Sequence, residues 1–153
     1  MTGPEPGIPA NAHMLSQKGE HGIKVISDMM GEDYGAKLRE AATSGKFGSD
    51  ITRMAVEFAF ADSWGREGLS RKEKSILIIG ILLALKQHSE LKNHVKIGAA
   101  NGITVPEFES LLVQASSYVG FPCIASATTA VIEALREIGM DPDVKTAEER
   151  GLL

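Results

Sequence analysis

At 153 residues the chain is long enough for one hydrophobic core of ordinary size and too short for two catalytic domains. Its 16 basic and 20 acidic residues are mixed along the sequence for a net charge of −4, so no basic patch offers itself to a phosphate backbone and nucleic acid is not an expected partner. Cys123 is the only cysteine, which rules out an internal disulfide and a cysteine-rich zinc site and suits a reducing compartment, the cytoplasm.

Residues 1–21, "MTGPEPGIPANAHMLSQKGEH", are rich in Pro, Gly and polar groups, lack the apolar core of a signal peptide and read as a flexible arm. Ile23, Val25, Ile26 and Met29 then follow a helical spacing, closed by the glycines of "GEDYG". "GAKLREAATSG" reads as a second helix, and "KFGSD" punctuates before a third. In "DITRMAVEFAFADSW", Ile51, Met54, Ala55 and Phe58 form one stripe, while Val56, Phe60 and Trp64 form an opposite one. A helix apolar on two sides is either central or shared with another subunit, and the sequence points to an interface at Phe60 and Trp64. Asp62 falls within the first stripe, either as a charge in an apolar face or as the point where the helix emerges into water.

Ser70 and Glu73 form a capping box that opens a fourth helix. Its apolar run, Ile76 to Leu85, is far short of a bilayer span and reads as a buried core helix, so no membrane is expected. A fifth helix is expected from near Ser89 to "NG" at Asn101-Gly102, where left-handed backbone is easiest, leaving His88 on the end of the helix before it. Thr104 and Glu107 make a second capping box, with Pro106 tolerated in the first turn, leading to Phe108, Leu111, Leu112 and Ala115. "VGFP" breaks the pattern. A last helix carries Ile124, Ala127, Val131, Ala134, Leu135 and Ile138 up to Gly139. Nothing reads as a strand, so the class is all-α, with a helical domain at 22–140 and a tail at 141–153.

In "HSELKNH", Glu90 and His94 are four apart, so on a helix their side chains share a face. A carboxylate beside an imidazole can fix its tautomer and raise its basicity, which suits a general acid or base. The same spacing describes a solvated surface pair, and spacing alone does not choose between the two. His-Glu-x-x-His spacing is absent, so no metal is expected. Cys123 reads as a small buried residue.

From Phe58 to Ile138 the residues follow a recurring order. A Trp-x-Arg-x-Gly-Leu turn is followed by a basic-Ser helix, Glu-Leu-x-x-His, Asn-Gly-hydrophobic-Thr, Glu-x-x-x-Leu, an aromatic residue and Gly-x-Pro. In this order the chain resembles the carboxymuconolactone decarboxylase family, which also contains the alkylhydroperoxidase-D-like proteins. The resemblance implies an all-helical homo-oligomer, a trimer or a ring of six, with active sites near subunit contacts. In the peroxidase branch a glutamate precedes Cys-x-x-Cys-x-x-x-His. With that histidine registered on His94, the two cysteines become Gln87 and Glu90 and the glutamate becomes Ser75, so thiol peroxidase chemistry is disfavoured. Glu90, Leu91 and His94 match the decarboxylase branch, whose polar pair after Gly-x-Pro is replaced here by Ala125 and Ser126.

That branch implies a cofactor-free carbon-carbon lyase of aromatic-compound catabolism, acting on the carboxylate of an unsaturated lactone or keto acid. Such a reaction needs an electron sink in the substrate, apolar walls that desolvate the carboxylate and an acid that reprotonates carbon. His94 is expected as the proton donor or shuttle, Glu90 as its orienting partner and His88 as a second donor. Trp64 and Phe121 are expected as walls, Arg66 and Lys74 as cations for the anionic substrate, and Ser75 as a further substrate-binding position. The same groups would serve an isomerase, dehydratase or lactone hydrolase on a related carbon acid. A non-catalytic oligomeric binding module on the same scaffold is the alternative of another class.

Overall fold

The computed structural model describes residues 13–152, which form seven α-helices and one π-helical segment, with no strand among them. The chain divides between Gly68 and Leu69 into two compact units.

In unit 1, α1 spans Gln17–Met30, α2 Glu32–Thr43 and α3 Ser49–Met54, and α3 runs on as a π-helical segment, Ala55–Trp64. The expected arm is therefore corrected at its end: α1 begins five residues inside it, and residues 1–12 lie outside the described part. Ser16 caps α1 by accepting from the Gly19 amide at 3.1 Å. The signal is hidden in the sequence because Gly19 stands where the returning glutamate of a capping box would be. The apolar face of α1 buries Ile23, Val25, Ile26 and Met29. Helix α1 lies so close to the π segment that a Cβ on Gly22 would come within 2.1 Å of the Val56 carbonyl oxygen.

The third expected helix is two structures in one. Past Met54 the backbone widens to i→i+5 hydrogen bonding, and the Gly65 amide donates to the Phe60 carbonyl at 2.9 Å. Val56 and Trp64 are buried, Trp64 being only 6% exposed within the single chain. The expected interface is therefore corrected at Trp64, which has almost no surface left to give to another subunit, whereas Phe60 is only partly buried against the core of unit 1. The other stripe, Ile51, Met54 and Phe58, is the exposed one. Asp62 reaches water and pairs with Lys18.

In unit 2, α4 spans Arg71–Ala84, α5 His88–Ala100, α6 Val105–Val119 and α7 Phe121–Glu137. Both expected capping boxes form. The Glu73 amide donates to Ser70 Oγ at 3.1 Å and the Ser70 amide to Glu73 Oε2 at 2.7 Å, with the reciprocal pair at Thr104 and Glu107. Leu83, Leu91, Val95, Phe108, Ala127 and Ala134 meet in one core. The fully buried reading of α4 is corrected: Ser75, Ile79 and Leu83 point inward, but Ile76, Leu77 and Ile81 stay exposed. Lys86, in the left-handed region at φ 56°, turns the chain so that His88 opens α5 instead of closing α4. Helix α7 begins at Phe121, with Pro122 in its first turn. The expected tail is tied back: Arg136 on α7 donates to both Glu149 carboxylate oxygens at 2.9 and 2.8 Å, and Thr146 is buried.

Candidate functional site

Helix α5 carries the acid-base groups. Leu91 and Val95 anchor it in the core of unit 2, and Lys92 forms ion pairs with Glu133 and Glu137 of α7 at 3.0 and 3.1 Å. With that side committed to α7, Glu90 and His94 lie together on another face, one turn apart. Glu90 is exposed and His94 half-buried. Burial holds the His94 imidazole below its ordinary pKa, and the Glu90 carboxylate pulls the other way without overcoming it. The imidazole is thus neutral near pH 7 in the free protein, yet stands beside a carboxylate that would stabilise its charged form.

Asn101 continues the His94 face two turns further on, where its Nδ2 donates to Ser75 Oγ on α4 at 2.9 Å. Ser75 is fully buried. The reading of Ser75 as a substrate-binding position therefore changes: its hydroxyl fastens α4 to α5. Sequence reasoning took Asn101 only as a helix stop, and its place two turns after His94 was the available signal.

His88 is on the same helix as His94 but six residues earlier, roughly 120° around the axis, so the two imidazoles do not share a face. Its Nε2 is buried and has no hydrogen-bond partner among the described residues. Lys74 sits beside Ser75 on α4, half-buried, and Phe121 stands exposed at the start of α7. Trp64 and Arg66 belong to unit 1, the first buried and the second exposed. Within unit 2 the structure thus sets Glu90 one turn from His94, near enough for its charge to act on the imidazole, and places His88 on another side of the helix.

Cys123 is buried, and its thiol donates to the Leu83 carbonyl at 3.1 Å. Among the described residues no three His, Cys, Asp or Glu side chains come together as a metal-binding group.

The model of the Carboxymuconolactone decarboxylase family matches residues 49–134. The chain is 29% identical over 127 residues to 4-carboxymuconolactone decarboxylase of Acinetobacter baylyi (strain ATCC 33305 / BD413 / ADP1), covering 83% of this chain and 93% of that protein. It is also 29% identical over 119 residues to nitrosuccinic acid decarboxylase npaB of Metarhizium robertsii (strain ARSEF 23 / ATCC MYA-3075), covering 78% of this chain and 82% of that one. Glu90, His94, Ser75 and Asn101 all fall inside the matched segment, which takes in more than half of the sequence, and the chain belongs to the carboxymuconolactone decarboxylase family.

Proposed function

We propose that this protein is a cofactor-free carboxy-lyase that uses His94 and Glu90 to decarboxylate a small anionic acid carrying its own electron sink. The observation that carries the reading is the half-buried His94 imidazole one turn from the exposed Glu90 carboxylate on α5, in which burial favours the neutral ring and Glu90 favours its protonation. Both named relatives are decarboxylases, and their names describe a lactone acid and a nitro acid. Each offers an electron-withdrawing group that can take up a pair of electrons, so the substrate class is an activated carboxylate such as an unsaturated lactone acid, a β-keto acid or a nitro acid.

The step follows from these groups. An incoming carboxylate adds negative charge near the imidazole, which raises its pKa and draws a proton onto it. The bond between carbon and carboxylate then breaks, carbon dioxide leaves, and the bonding pair moves into the sink. His94 returns its proton to carbon, and Glu90 holds the ring while it is charged. Desolvation of the carboxylate favours its loss, and Lys74 is the cation on α4 that would orient it.

Carbon dioxide release measured over a panel of lactone, β-keto and nitro acids tests the reading. Release from at least one class, lost in His94→Ala, is the expected result. A panel with no release, or an undiminished His94→Ala, would sink it.

A further inference from the structure

The face of α5 that carries His94 is turned towards α4, and the register of the two helices says which residue it meets. Helices α4 and α5 are joined by residues 85–87 alone, so they run antiparallel as a hairpin. Their register is pinned at two points. Asn101 Nδ2 donates to Ser75 Oγ at 2.9 Å, and a Cβ on Gly98 would lie 3.3 Å from Ile79 Cδ1. Each step forward along α4 is thus a step back along α5.

Leu82 is two turns on from Ser75, and His94 is two turns back from Asn101. Seven residues advance a helix by about 10.5 Å and return it to within about 20° of the starting face. Equal steps in opposite senses on antiparallel helices therefore set Leu82 opposite His94. Their neighbours agree, because Leu83 and Val95, one position further round on the inner side of the seam, are both fully buried in the unit 2 core. Leu82 packs on the edge of that core and is half-buried, as His94 is.

What stands opposite the imidazole decides how wet it is. Leu82 has no polar side-chain atom, α4 carries no charged residue from Ser75 to Leu85, and Lys74 and Lys86 stand at the two ends of that run. On the other side of α5, Lys92 and Lys96 are turned to Glu133 and Glu137 of α7. The charge that acts on the ring is that of Glu90, and burial outweighs it. An apolar wall on α4 accounts for that burial. The same wall would desolvate a carboxylate lying beside the ring, which favours its loss as carbon dioxide.

We infer that Leu82 faces His94 across the α4–α5 seam as a positioning residue of the site, the apolar wall that keeps water from the imidazole and from a carboxylate beside it, with Ser75 and Asn101 holding it in register. Its use in turnover rests on the decarboxylase reading, whereas its place against His94 does not.

Nuclear Overhauser contacts in the full chain should join the Leu82 methyl groups to the His94 ring protons, and their absence would overturn the inference whatever the variants do. Leu82→Ala should admit water and raise the His94 pKa towards the ordinary imidazole value of about 6.5, whereas Leu82→Met, which nearly conserves volume, should leave it unmoved. Leu82→Val, a smaller cut, carries the same test if Leu82→Ala does not fold. A residue that merely filled the core would lower stability on truncation and leave that pKa where it was, which would also overturn the inference. On an acid from which the wild type releases carbon dioxide, Leu82→Ala should lower kcat about tenfold and change KM less, because desolvation acts on the breaking bond. An undiminished kcat there would overturn the role of the wall in turnover. No release from any acid, with the contact and the pKa response both present, would uphold the wall and sink the decarboxylase reading alone.

Discussion

His94 sits between two opposed influences, and their balance is measurable. Burial favours the neutral ring and Glu90 favours the charged one, with burial the larger. An NMR titration should therefore place the His94 pKa below the ordinary imidazole value of about 6.5, and Glu90→Gln should lower it further by removing the attraction. The sign for stability follows, because below that ordinary value the unfolded chain binds the proton more readily than the folded one. This contribution to stability is present above about pH 6.5 and is lost as pH falls through the folded pKa. If His94 moves the proton, His94→Ala should lower turnover by roughly 10²–10⁴-fold, with Glu90→Gln equal or milder and the double variant far less impaired than the product of the two. Fully multiplicative losses would separate the pair. Cys123→Ala should leave turnover within a few-fold, because the thiol is spent on the Leu83 carbonyl. Glu90 and His94 were legible in the sequence because their relation is local. The Ser75–Asn101 hydrogen bond was not, since it joins residues 26 apart that only the packing of α4 on α5 brings together.

Helix starts were legible wherever both halves of a capping box lay in the sequence, as at Ser70 and Thr104. Where one half was missing, as at Ser16, the boundary slipped by a turn. The α4–α5 boundary slipped for a different reason: Lys86 adopts the left-handed conformation that sequence reading assigns to glycine. The π segment escaped altogether, because a widened helix and an ordinary one can carry nearly the same apolar stripes. Close approaches belong to this scale too. Ser70→Ala should cost about 1 kcal/mol in chemical denaturation, the usual worth of a cap. Gly22→Ala should cost more than the cap, because the Val56 carbonyl at 2.1 Å from the added carbon is backbone and cannot swing aside. An unchanged midpoint in Gly22→Ala would mean that α1 can shift on the π segment without loss.

Across the whole molecule the all-α class and the core of unit 2 could be read from periodicity, whereas the division at Gly68 and the one-sided burial of α4 could not. Periodicity reports which residues are apolar and leaves open which apolar face is covered by the same chain. The two units also differ in what holds their helices together. Leu83, Leu91, Val95 and Val131 interlock in a single core of unit 2, on helices with ordinary i→i+4 hydrogen bonds. Unit 1 instead includes ten residues of π-helix, a form rarely longer than one turn. Amides open at the free energy of the smallest unfolding event that frees them, so a less regular ladder should open locally before the interlocked core does. Native-state hydrogen exchange should therefore show the amides of Leu83, Leu91, Val95 and Val131 exchanging only through global unfolding, with those of Ala59 to Ser63 opening at distinctly lower free energy. If the π-segment amides proved as slow as the core of α5 and α7, its hydrogen bonds would be as well supported as an α-helix's and the two units would unfold as one.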